Sequence, residues 1–139
     1  DNWKCILPKI EPPDPTSFPG LDYGSSQREY VTLGWTPPLA GYYTNYVIFW
    51  KSGTTAFNWG EAIAAFEGAT NAYSYMMIDG DEIETQLQGF ADGSYTFGIL
   101  TYHLYMSDEG PVEKWSGTNT RFLKCHINNS TNDTVTCNF

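Results

Sequence analysis

Charge is scarce in this chain of 139 residues, and positive charge is scarcer still: charged residues make up 17 %, sixteen of them acidic and seven basic. The resulting net charge of −9 repels phosphate backbones and anionic lipid surfaces, so nucleic acid is excluded as a partner. Long apolar runs are missing as well. The best stretch, Gly98 to Met106, is broken by Thr101 and His103 and falls well short of the roughly 18 residues that cross a bilayer; no membrane insertion is expected. Cysteine is limited to Cys5, Cys125 and Cys137, with no C-x-x-C pair, and His126 beside Cys125 lacks a second ligand at metal spacing. Neither zinc nor any other metal or cofactor is expected. There is no G-x-S-x-G elbow, and His103 sits in a strand-like run with no nucleophile at its side, so nucleophilic catalysis finds no support and the chain reads as a non-enzyme.

What the chain has in quantity is ring and bend: five Trp, ten Tyr and eight Phe, with 13 Gly and 8 Pro. That composition favours an aromatic, β-rich core and excludes long, solvent-striped helices. The length suits one domain, large enough to bury about two thirds of its surface. The first residue is Asp1 and not Met, as expected of a chain that has lost a leader or been cut from a longer one.

Five prolines between Pro8 and Pro19 hold residues 1–24 extended, an N-terminal arm in which the first strand could begin near 11–18. Glu29 to Trp35 then alternates, with Val31, Leu33 and Trp35 turned inward. Asn45 to Lys51 (NYVIFWK) is the most buried-looking strand. Between them and the next β-rich run, Trp59 to Phe66 predicts a short helix, because Trp59, Ile63 and Phe66 share one face. Tyr73 to Ile78 predicts a strand, Glu82 to Leu87 another with Ile83 inward, Tyr95 to Met106 a long one, and Arg121 to Ile127 the last. Residues 128–139 form a polar tail, rich in Asn and Thr, with no period.

Several short strands separated by turn signals point to an antiparallel sandwich. The order of the motifs over Glu11 to Lys124 resembles a fibronectin type III domain. Pro12-Pro13-Asp14-Pro15 resembles the proline-rich approach to that family's first strand, and Val31 to Pro38 resembles its second strand with the buried Trp35. Tyr46 to Trp50 resembles the third strand, and Gly89 to Phe97 the tyrosine corner, with Phe90 ahead of Tyr95. Gly110-Pro111 and Trp115-Ser116 resemble the turn and the beginning of the final strand. The resemblance implies an all-β, seven-stranded antiparallel β-sandwich over residues 25–127 with extended arms at both ends. It implies a core that includes Trp35, Tyr46, Ile48, Phe90, Tyr95 and Phe97.

In such a sandwich Cys5 and Cys125 would lie at opposite poles, too far apart to bond. That leaves a Cys125–Cys137 disulfide, with Cys5 free to bond a neighbouring subunit; three reduced, buried thiols are the alternative. The family commonly supplies spacers and adhesion modules on cell surfaces, in secreted proteins and on phage particles. By resemblance the chain would be an extracellular or virion-surface structural or interaction module. Its two arms at opposite poles, one carrying Cys5 and the other Cys125 and Cys137, suit head-to-tail assembly with copies of itself as protein partners into a filament or array, one arm laid along an edge strand of the neighbour.

Three sequons, at Asn128, Asn129 and Asn132, mark the tail for glycosylation, although any tail rich in Asn, Ser and Thr generates sequons by composition. Tyr42, Tyr43, Trp59, Tyr102 and Tyr105 exceed what two inner faces need, which leaves carbohydrate binding, with Tyr42, Tyr43 and Trp59 as the platform and glycans as partners, as the alternative function. Asp79-Gly80-Asp81-Glu82 followed by Glu84 could face one calcium ion but lacks the EF-hand pattern, and a solvated acidic turn is expected.

Overall fold

The computed structural model describes residues 7–139. Nine strands and one helix follow in order: β1 (Gly20–Gln27), β2 (Tyr30–Thr36), β3 (Asn45–Ser52), α1 (Trp59–Phe66), β4 (Ser74–Asp79), β5 (Glu84–Gln88), β6 (Gly93–Ser107), β7 (Gly110–Trp115), β8 (Leu123–Ile127) and β9 (Val135–Thr136). All pairings are antiparallel. One sheet runs β5-β2-β1-β9 and the other β4-β3-β6-β7, with β8 also paired to β6. The fold is therefore an all-β antiparallel sandwich, fibronectin type III-like. Its seven expected strands are present once β7 and β8 are counted as one final strand divided by residues 116–122, and the tail adds β9. Among the described residues no helix is long and apolar enough to cross a membrane.

Period-2 burial explains the inner core. Val31, Leu33 and Trp35 of β2 and Leu21 of β1 face Tyr46 and Ile48 of β3 and Phe97 and Ile99 of β6, all buried. Each such side chain is worth roughly 1.5–3 kcal/mol when withdrawn from water. Trp35 and Tyr46 meet with ring centroids 5.3 Å apart. At the corner before β6 the Tyr95 hydroxyl donates to the Ala91 carbonyl at 2.8 Å, and Phe90 packs edge-on to Tyr95 at 5.0 Å. That fixes the crossover between sheets.

The strands β3 and β6 are buried on both faces, because a second aromatic layer covers the outside of their sheet. Val47, Phe49, Leu100 and Tyr102 lie beneath α1, with Phe57, Trp59, Phe66 and Trp115 packed around them. The helix is capped by Asn58, whose side-chain oxygen accepts from the Glu61 N–H at 3.0 Å. Gly68, at φ +83, follows its last turn in the left-handed conformation usual there.

Three expectations need correction. β1 begins at Gly20 with Leu21 fully buried, inside the segment assigned to the arm: the prolines end at Pro19, and an irregularity between Leu21 and Tyr23 breaks the alternation that would have marked the strand. Ile83 is not inward: it is 58 % exposed. It precedes β5, whose buried contact is Leu87. The arm is not free, since residues 8–16 fold back onto their own sandwich. Met106 N–H donates to the Pro8 carbonyl at 2.7 Å, Tyr42 N–H to Pro13 at 2.9 Å, and Thr16 N–H to Ala40 at 2.8 Å.

Candidate functional site

Two places combine unusual chemistry with exposure: the C-terminal tail and a groove beside the N-terminal segment. The tail lacks periodicity yet is tied to both sheets. Cys125 of β8 and Cys137 are joined by a disulfide with Cα atoms 4.5 Å apart, within the range that geometry requires. β9 pairs with Ser25 and Ser26 of β1, and Asn138 exchanges backbone hydrogen bonds of 2.6 and 2.9 Å with Lys124 of β8. The Ser26 hydroxyl adds a direct link between sheets, donating to the His126 carbonyl at 2.6 Å. The tail thus closes one flank of the sandwich. On the other flank β4 and β5 are the end strands of their sheets, and β4 exposes Tyr75, Met76 and Met77.

The turn from Asn128 to Asp133 is built from carboxamides. Asn129 accepts from the Glu29 N–H at 2.7 Å and donates through Nδ2 to the Phe90 carbonyl at 3.1 Å. Its own N–H donates to Asp92 at 2.7 Å. Asn132 accepts from Arg28 at 3.0 Å. Asn128 is exposed and, among the described residues, bonds only locally, its side-chain oxygen accepting from the Ser130 N–H at 3.0 Å and hydroxyl at 2.6 Å.

The groove, a cavity of about 330 Å³, is lined by Leu7, Tyr42, Asn45, Met77, Tyr102 and Leu104 among others. Next to it the described part of the arm lies over β6 and β7, where Lys114 pairs with Glu11 at 2.9 Å and Asp14 at 3.7 Å. The ammonium group lowers the Glu11 pKa from its ordinary value. His103 is buried there against the edge of Tyr42, and its Nε2 has no hydrogen-bond partner among the described residues. Burial lowers its pKa. Tyr102 donates to Glu113 at 2.9 Å, and the same Glu113 raises the pKa of Glu67 at the end of α1.

The structure does not bring the three candidate stacking aromatics together. Tyr42 lines the groove, Tyr43 packs on Tyr46 with their hydroxyls 3.0 Å apart, and Trp59 belongs to the outer layer. The Trp59 indole N–H donates to the Asn119 carbonyl at 2.8 Å, and its ring lies against Phe57 and Phe122. Trp35, Tyr46, Ile48, Phe90 and Phe97 are buried and Tyr95 is half-buried. Cys5 lies outside the described residues. Glu84 of the acidic run receives a hydrogen bond from Tyr23. Among the described residues no three His, Cys, Asp or Glu side chains gather as metal ligands do.

Sequence reading passed over Asn119. Buried between the sheets, it donates to the carbonyls of Pro19 and Ile99, both at 3.2 Å, and accepts from the Arg121 N–H at 3.1 Å. No sequence signal marks it, since all its partners but Arg121 are distant in the chain.

No family model matches this sequence, and no curated protein does. Among solved structures, the chain is similar to an FN3 domain of human collagen XX at 17 % identity, covering 82 % of this chain and 96 % of that one, with a TM-score of 0.42.

Proposed function

We propose that this chain is a non-catalytic interaction module that works outside the cytoplasm, as a secreted, cell-surface or virion-surface glycoprotein, and assembles head to tail with copies of itself. The observation that carries the reading is the tail: a disulfide that fastens a polar segment across both sheets persists in an oxidising compartment and not among cytosolic thiols. Its support for adhesion or assembly is geometric. One flank is closed, while the other presents β4, a strand without charge until Asp79 and with Tyr75, Met76 and Met77 exposed. Such an uncovered edge accepts another strand. Residues 8–16 are engaged on their own sandwich, so the proposed reach to a neighbour falls to the segment carrying Cys5.

The test is intact mass of protein from its natural source, measured with and without reductant. Covalent multimers that collapse on reduction and vanish in Cys5→Ser are expected, with Cys125 and Cys137 bonded within each chain. A protein that stays monomeric at high concentration, unaffected by Cys5→Ser, would overturn self-assembly. Free thiols at Cys125 and Cys137 would overturn the location.

A further inference from the structure

We infer that Asn128, and not its neighbour Asn129, is the residue that accepts an N-linked oligosaccharide where their two sequons overlap. This deepens the extracellular reading and rests on it, since the acceptor must pass through a secretory pathway. Asn128-Asn129-Ser130 and Asn129-Ser130-Thr131 share two residues, and adjacent carboxamides leave no room for two oligosaccharides.

The structure separates the pair by what each carboxamide already does. Asn129 is half-buried and wedged between distant parts of the chain, holding the Glu29 N–H with its oxygen and the Phe90 carbonyl with its nitrogen. A sugar on that nitrogen must fit into the joint between the β1–β2 turn and the tyrosine corner. A sugar there therefore strains the brace that Asn129 forms between Glu29 and Phe90. Asn128 is exposed, and its Nδ2 has no partner among the described residues. Both hydrogen bonds to its oxygen come from Ser130, two residues on. They need no part of the fold beyond the sequon itself.

Those two bonds also prepare the chemistry. Donors on the carboxamide oxygen withdraw electron density from nitrogen and make the N–H more acidic. In the transfer, Nδ2 bonds to the anomeric carbon of an oligosaccharide carried on a lipid pyrophosphate. The anomeric C–O bond breaks, the pyrophosphate leaves with the bonding pair, and the amide proton passes to a base of the transferase. No electron acceptor is required.

The experiment expresses the chain behind a host secretory leader in a eukaryotic cell line, with Thr134→Ala to silence the Asn132 sequon. Intact mass is read before and after peptide N-glycosidase, on protein from cells and medium together. One glycan is expected. Ser130→Ala should abolish it while leaving the Asn129 sequon in place, and Thr131→Ala, which removes that sequon, should leave it unchanged. A glycan that survives Ser130→Ala and disappears with Thr131→Ala overturns the inference, as does an unmodified chain with its disulfide formed. Because the leader imposes the pathway, these results are independent of natural location, which fails separately if the natural protein carries reduced Cys125 and Cys137.

Discussion

The sheet β4-β3-β6-β7 is buried on both faces, and the two faces are covered by different means. Its inner face meets a second sheet: Tyr46, Ile48, Phe97 and Ile99 are wholly withdrawn from solvent against Leu21, Leu33 and Trp35, and main-chain pairing holds both walls in place. Its outer face meets a helix of eight residues, a length that is not stable by itself in water. Phe49 and Leu100 are fully buried there, but the rings that cover them, Phe57, Trp59, Phe66 and Trp115, stay half-exposed. The outer layer is thus held by side-chain packing and a few anchors, above all the Trp59 bond to Asn119. Hydrophobic burial of similar chemistry yields a rigid wall on one side and a dependent one on the other.

The comparison is sharpest in large truncations. Phe97→Ala should cost about 3–5 kcal/mol by denaturant unfolding and weaken the whole domain. Trp59→Ala should cost roughly 2 kcal/mol and expose α1 to amide exchange while β2 and β6 stay protected. Equal losses with uniform exchange would show that the layers form one cooperative unit.

Gly98 tests how tightly the outer layer is seated. A Cβ there would come within 2.8 Å of the Trp59 ring, which Asn119 and Phe122 keep from retreating. Gly98→Ala should cost about 1–3 kcal/mol, and most of that should vanish in a Trp59→Ala background, read as a double-mutant cycle.

The smallest effect concerns pH. Glu67 at the end of α1 has its pKa raised by Glu113 of β7. A carboxyl group whose folded pKa lies above its unfolded value contributes stability below the unfolded value of about 4.5 and loses it as pH rises through the folded one. The last turn of α1 should exchange more slowly at acid pH, after correction for intrinsic rates. Glu67→Gln should remove the difference and leave the inner strands unaffected.

Much of the inner layer was legible in the sequence, because period-2 alternation in Val31-Leu33-Trp35 and the apolar run of β3 report burial directly. Even α1 was visible, since Trp59, Ile63 and Phe66 share a face. The outer layer was not: nothing local distinguishes Trp59 or Tyr102 as lid and floor from the same rings left free for a ligand. The tail was illegible for a related reason. Its order comes from a disulfide and from bonds such as Asn129 to Glu29 and Gln27 to Asn132, which join residues about a hundred positions apart and impose no period. β1 was obscured by the prolines ahead of it.

The Cys125–Cys137 bond also determines how the domain carries mechanical load. Tension applied at Phe139 has a covalent path through Cys137 to Cys125 that bypasses the residues between the two cysteines. Cys125 lies in the middle of β8, opposite Tyr95 of β6, so the force enters the sheet along a paired strand next to the tyrosine corner. The turn bearing Asn128 sits in a slack loop, and a carbohydrate attached there would ride on the domain without being pulled.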